Sequence, residues 1–153
     1  KPPGGGQKGY AGWHRDSQYW PFWIPDGVFT AWIALSDVKP ESGPVRYIQG
    51  SNQWENVTGL DFFDKNITEQ DKILQGAHKD YKVISATIRK GQVSVHSSLT
   101  YHSSIENTSQ TSRVGMVVHF CTDYAERISI NGELTHYLDG IDNQSICPTI
   151  YKK

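Results

Sequence analysis

The sequence predicts an all-β domain, a sandwich or barrel of short strands interrupted by one long, partly helical excursion. Three observations carry that reading. Apolar runs of strand length, rich in Val, Ile, Phe and Trp, are separated by turn signals built on Gly and Pro. No alternation of strand and helix patterns suggests βαβ units. A chain of 153 residues with five Trp, eight Tyr and five Phe, although only 37% apolar, carries enough aromatic surface for one buried core.

Residues 1–12 are rich in Gly and Pro and read as loop. Gly12 to Trp20 is expected as a short strand entering the turn signal at Pro21 to Gly27. Val28 to Val38 is nearly continuous in apolar residues and is closed by Lys-Pro-Glu-Ser-Gly-Pro, the pattern of a strand buried on both faces. Val45 to Gln49 forms another short strand. The polar stretch from Ser51 to Tyr81 holds one helix, with Thr68 as the expected N-cap, Asp71 as its acidic partner, and Ile73 and Leu74 behind. Long irregular excursions in small domains tend to be lids or binding loops, so this one is expected over a site. Val83 to Ile88, a turn at Lys90-Gly91, Gln92 to Ser97 and Arg113 to Thr122 complete the strands. There is no internal repeat and no low-complexity tract.

Fifteen basic and sixteen acidic residues, in no dense run of either sign, leave no electrostatic footprint for nucleic acid or for an anionic membrane. A small-molecule partner is expected. Apolar stretches fall far short of the roughly 20 residues that span a bilayer, and the opening has no signal-peptide order. A cytoplasmic protein is expected, with Cys121 and Cys147 as two ordinary thiols, since their spacing suits neither a zinc knuckle nor a disulfide framework. The oligomeric state is not encoded in any pattern. The triplets at Asn56, Asn66, Asn107 and Asn143 match the glycosylation pattern but occur by chance in a chain rich in Asn, Ser and Thr. The opening Lys-Pro-Pro-Gly-Gly-Gly reads as the middle of a longer protein.

His14 and Asp16 stand two apart in Trp-His-Arg-Asp-Ser, so on an extended strand both side chains leave the same face. Alone, His-x-Asp arises readily by chance. A third ligand has to come from His78, His96, His102, His119 or His136. His102 follows one strand and precedes another among small polar residues, a position suited to a cleft. Two histidines and a carboxylate on one face of a metal leave three coordination positions open, the arrangement of non-haem iron(II) oxygenases. A closed four-ligand site of the zinc type admits no second reactant.

Several blocks occur together in one order. They are Trp-His-Arg-Asp-Ser-Gln-Tyr-Trp-Pro-Phe from Trp13, Ala-Trp-Ile-Ala-Leu from Ala31, and Ser-Gly-Pro-Val-Arg-Tyr-Ile-Gln-Gly-Ser from Ser42. Tyr-His-Ser-Ser from Tyr101 and Asn-Thr-Ser leading to Arg113 follow. Their succession resembles the phytanoyl-CoA dioxygenase family. The likeness runs from Lys1 to about Phe120, with 121–153 as a C-terminal extension of a single dioxygenase core domain spanning 1–153.

The resemblance implies a double-stranded β-helix, or jelly roll, that uses iron(II) and 2-oxoglutarate, with ascorbate as a supporting reductant. The implied reaction oxidises a C–H bond of a small organic metabolite and releases succinate and carbon dioxide. It makes His14, Asp16 and His102 the iron ligands. Arg113, eleven residues after His102, becomes the grip on the distal carboxylate of 2-oxoglutarate, and a guanidinium suits that task. Ser104 and Trp32 match further co-substrate contacts, although Trp32 also reads as an ordinary core aromatic. Because Asp16 is present, hydroxylation, or a related oxidation such as ring formation or desaturation, is favoured over halogenation, which needs that position vacated.

The remaining histidines are given lesser parts. His119 shares a face with Arg113 but lies about 20 Å further along at roughly 3.3 Å per residue, so it is set apart from the ligands. His96 is expected in a structural or supporting role, and His78 and His136 as solvated loop residues. Two departures stand out: Arg15 where glutamine is frequent, expected to alter substrate or co-substrate contacts, and Asn52 where histidine is frequent, a loop matter. Family members carry an upstream segment with a further strand, flanking helices and co-substrate contacts, so activity of this stretch by itself stays open. The rival reading is a non-catalytic β-sandwich binding module with a structural or vestigial metal site. A cupin-type isomerase would want His-x-His and a downstream Glu.

Overall fold

The apolar run that opens at Val28 becomes the middle strand of a sheet. In this computed structural model, which describes residues 1–20, 23–24, 27–128, 140 and 143–151, β1 spans Ala11–His14, β2 Trp23–Ile24 and β3 Val28–Ala34. Strands β4 (Val45–Ile48), β5 (Val83–Ser85), β6 (Val93–Ser97), β7 (His102–Ser104), β8 (Gly115–Cys121) and β9 (Glu126–Arg127) follow. They form a four-stranded antiparallel sheet β1-β7-β4-β5, a three-stranded antiparallel sheet β6-β3-β8 and a β2-β9 pair.

Expected strands are present but shorter than their apolar runs. The first ends at His14, because Asp16 to Gln18 turn into a single 3₁₀ turn in which Tyr19 N–H donates to the Asp16 carbonyl. β2, β7 and β9 are two or three residues long, too short to show a period. No helix among the described residues is long and apolar enough to cross a membrane.

The excursion carries α1, Ile67–Ala77, and its cap is Asn66 in place of Thr68: the Asn66 side chain accepts from the Glu69 N–H. Asp71, expected as a capping partner, instead accepts from Trp13 Nε1 at 2.6 Å and from the Tyr81 hydroxyl at 2.8 Å. Moving the start to Ile67 buries that residue with Leu74 against Trp13, Ile48, Leu60 and Tyr101, the larger core cluster. That cluster fills the space between α1 and the outer face of the four-stranded sheet. A smaller one, Trp32, Ala34 and Val38, with Val45 and Ile88 packed on it, bridges the two sheets.

Gly12 is required by a close approach. A Cβ there would stand 1.9 Å from the Asp61 carbonyl oxygen, and the Gly12 N–H donates to the Phe62 carbonyl. The middle of the excursion is thus laid directly on β1. Opposite, the inner face of the four-stranded sheet looks across to the three-stranded one, where Ser94 Oγ donates to the Tyr47 hydroxyl at 3.0 Å.

Candidate metal centre

Antiparallel pairing of β1 with β7 sets His14 directly across from His102, and residues opposite each other share a face. Their ring centroids are 4.1 Å apart. Arg15 continues the extended backbone and Asp16 opens the 3₁₀ turn, which returns its carboxylate to the same side. One ligand atom from each of His14, Asp16 and His102 lies within 4.8 Å of the other two. Nε2 of His102 is 3.5 Å, and Nε2 of His14 3.9 Å, from Oδ1 of Asp16.

The outward nitrogens are held by backbone. Nδ1 of His14 donates to the Gly12 carbonyl at 2.8 Å and Nδ1 of His102 to the Thr100 carbonyl at 3.0 Å. Each bond keeps the proton on Nδ1 and leaves the Nε2 lone pair facing Asp16, the tautomer a metal needs. Burial pushes His102 down to about 3, helped by the neighbouring His14 and His96, and burial likewise lowers His14. For Asp16 burial works the other way, yet the approach of His96 and His102 and the hydrogen bond from Thr30 hold its carboxyl well below the usual range. Two neutral imidazoles and one carboxylate therefore face a common point at neutral pH, a donor set that fits a divalent cation.

Arg113 stacks over Trp32, its guanidinium carbon 5.0 Å from the ring centroid. Its Nε and Nη1 are buried and have no hydrogen-bond partner among the described residues. A buried cation without an acceptor is costly, so this corner suits an anion. Ser104, on β7 and two residues from His102, accepts from Lys1 Nζ at 2.6 Å. Burial, then Arg113, lowers the Lys1 amine to about 7. Trp32 is 8% exposed and is both core and platform: it belongs to the smaller cluster and lies under Arg113.

Three histidines stand elsewhere than expected or gain a partner there. His119 is not remote from the centre: its Nδ1 is 2.9 Å from Thr30 Oγ1, and that hydroxyl donates to Asp16 Oδ2 at 2.6 Å. The roughly 20 Å along β8 separates His119 from Arg113, whereas Asp16 arrives from the 3₁₀ turn after β1. His96 stands beside the centre, its Nε2 3.5 Å from Asp16 Oδ2 and neither ring nitrogen making a hydrogen bond of ordinary length. His78 lies just past α1, in the loop as expected, but it stacks on Trp54 at 4.0 Å and is half-buried, so it is not fully solvated. His136 lies outside the described residues.

Arg15 turns away from the centre. Its Nη2 donates to the Ser51 and Trp54 carbonyls and its guanidinium covers the Tyr101 ring at 4.2 Å, so it ties the excursion to β1. Asn52 is exposed in a 3₁₀ turn, in keeping with a loop role. Thr30 escaped the sequence reading because a threonine in an apolar strand carries no metal signal. Only the register Thr30 to His96 and Thr30 to His119 reveals it. Phe62 was missed as well; it meets His14 edge-on at 4.8 Å, with Tyr19 at 6.0 Å.

A family model described as Phytanoyl-CoA dioxygenase (PhyH) matches residues 1–115, and the chain belongs to that family. Among solved structures it is similar to the non-heme alpha ketoglutarate dependent carbocyclase SnoK from nogalamycin biosynthesis. The identity is 24% and the TM-score 0.61, over 77% of this chain and 45% of that one. EvdO2 from Micromonospora carbonacea var. aurantiaca complexed with 2-oxoglutarate is 21% identical at TM-score 0.61, over 86% of this chain and 52% of its own. EctD from S. alaskensis with 2-oxoglutarate and 5-hydroxyectoine is 19% identical at TM-score 0.53, over 72% and 37%. The fold is the jelly roll of these oxygenases, and the chain spans about half the length of the structures it matches. No curated protein sequence matches it.

Proposed function

We propose that this chain is the core of an iron(II)- and 2-oxoglutarate-dependent dioxygenase acting on a small organic molecule, with residues 1–153 forming one domain. His14, Asp16 and His102 hold the iron. Arg113 takes the distal carboxylate of 2-oxoglutarate, with Ser104 and Trp32 beside it. The convergence of three ligand atoms within 4.8 Å carries the reading, and the two unpartnered guanidinium nitrogens of Arg113 support the co-substrate.

Dioxygen is the oxidant: with iron bound, one of its atoms would go into the hydroxyl on the substrate carbon and the other into succinate, as 2-oxoglutarate supplies two electrons and loses carbon dioxide. The protein's share is binding, orientation and exclusion of water. The backbone carbonyls of Gly12 and Thr100 aim the two imidazoles. Trp32 lies under the Arg113 guanidinium, whose paired N–H groups suit a carboxylate. Lys1 Nζ donates to Ser104 at the edge of that corner. Phe62 from the excursion and Tyr19 from the turn after β1 meet the His14 ring and form an apolar hood on the substrate side.

The reading is tested by loading the chain with iron(II) under ascorbate and 2-oxoglutarate and screening small metabolites for succinate formation. Anaerobic titration of 2-oxoglutarate into the manganese-loaded chain accompanies the screen. Saturable co-substrate binding that needs both metal and Arg113 is expected. Metal binding with no affinity for 2-oxoglutarate would leave a metal-bearing binding module.

A further inference from the structure

The two oxygens of Asp16 have different surroundings. Oδ1 lies toward the ligand pair, 3.5 Å from His102 Nε2 and 3.9 Å from His14 Nε2. Oδ2 accepts a 2.6 Å hydrogen bond from Thr30 Oγ1, and His96 Nε2 stands 3.5 Å from it on another side. Thr30 is 3% exposed and sits in the middle strand of its sheet, opposite His96 on β6 and His119 on β8.

A hydroxyl has one proton to give, and an ionised carboxylate only accepts. The Thr30 proton therefore goes to Asp16, and the 2.9 Å contact between Thr30 Oγ1 and His119 Nδ1 is made by the His119 N–H. The order is His119 Nδ1–H to Thr30 Oγ1–H to Asp16 Oδ2. Trp20 braces the far end, its ring meeting His119 edge-on at 4.1 Å.

We propose that Thr30 and His119 are positioning residues of the metal centre: they hold Oδ2 of Asp16 so that the carboxylate meets the ion through Oδ1 alone. A carboxylate free to turn can grip a cation with both oxygens and occupy an extra coordination position. A three-ligand centre needs that position for its reactants. The short charge-assisted bond from a β-branched residue, locked at χ1 on a paired strand, prevents the turn. The inference rests on Asp16 being a metal ligand.

The test compares Thr30→Val, which keeps shape and loses the hydroxyl, with Thr30→Ser, which keeps the hydroxyl. It also compares His119→Ala with His119→Asn, whose amide N–H can replace the lost donor. Each is titrated with cobalt(II) under anaerobic conditions, reading affinity and the visible d–d spectrum, with His14→Ala as the control. Loss of an outer partner typically weakens metal binding about 10–100-fold. Thr30→Val is expected in that range with an altered spectrum, and Thr30→Ser close to the parent. His119→Ala is expected to weaken binding less than Thr30→Val does, and His119→Asn to restore it. If Thr30→Val does not fold, the His119 pair decides. Valine and alanine variants that match the parent in affinity and spectrum would overturn the clamp while leaving the metal site standing. A parent chain that binds cobalt no better than His14→Ala would take down the metal reading, and the clamp with it.

Discussion

The two faces of strands β1, β7 and β4 are built from alternate residues of the same short segments and do opposite work. On the outer face Trp13, Ile48 and Tyr101 are fully buried under α1, and their polar atoms are paired, Trp13 Nε1 with Asp71 and the Tyr101 hydroxyl with Val57 N–H and Asn56. On the inner face His14, Tyr47, His102 and Ser104 look toward Asp16, and two buried groups of that interior, His96 and Arg113, hold nitrogens without hydrogen bonds. Burial of the outer-face aromatics is satisfied and stabilises the fold. On the inner face burial leaves donors and lone pairs aimed at space that a metal and an anion would fill, which is the mark of a site as against a core.

The sharpest test separates the faces by readout. Asp16→Ala is expected to weaken divalent-metal binding by more than the roughly 100-fold that losing an outer partner costs, while far-UV circular dichroism stays that of the parent. Trp13→Ala, one strand position before a ligand, should do the reverse first: a loss of about 3–5 kcal/mol of stability, the usual range for a buried tryptophan, read by urea denaturation. If Asp16→Ala unfolds the chain, the division between the faces is wrong.

Arg113→Ala sharpens the comparison within the inner face. Removing one side of a buried charge pair costs about 3–5 kcal/mol, or two to three powers of ten in affinity. That loss is expected for 2-oxoglutarate in the manganese-loaded chain, with metal affinity unchanged. Equal co-substrate affinity in parent and mutant would turn the Arg113 corner into a structural feature.

Gly115→Ala is expected to have a smaller effect. A Cβ at Gly115 would stand 2.2 Å from Cζ2 of Trp32, so the ring must shift and with it the platform under Arg113. Overpacking of this kind costs about 1–3 kcal/mol, and thermal denaturation should show it together with a weaker grip on 2-oxoglutarate.

The last contrast is pH. His102 is held near 3 in the folded chain, against about 6.5 when unfolded. Between those values the unfolded chain binds a proton the folded one refuses. Stability of the metal-free protein should therefore fall as pH drops from 6.5 toward 3 and level off above that window. His102→Gln should flatten the slope, whereas Trp13→Phe should lower stability and keep it; denaturation at pH 7 and pH 5 measures both.

The candidate centre is legible mainly through its motif blocks: His-x-Asp alone arises readily by chance, and His102 and Arg113 are singled out because the order of the blocks resembles the family. The helix cap was misplaced because Thr68 and Asn66 both offer a capping oxygen, and the burial of Ile67 decided between them. Arg15 is expected at the reactants because it stands where the family frequently has glutamine, between two candidate ligands. Strand alternation sends it to the opposite face, where the Ser51 and Trp54 carbonyls take its donors.

What the sequence by itself determined is the set of short strands and the position of the excursion, since composition and turn signals are local, whereas its candidates for iron and 2-oxoglutarate follow from the likeness of its motif blocks to the family. Only the tertiary structure decided that Thr30 and His119 stand behind Asp16, that Phe62 covers His14, and that Trp32 lies beneath Arg113. Those contacts depend on which strands are neighbours and in what register. A one-residue slip of β3 against β6 and β8 would turn Thr30 to the other face, and nothing local in the sequence reports that pairing.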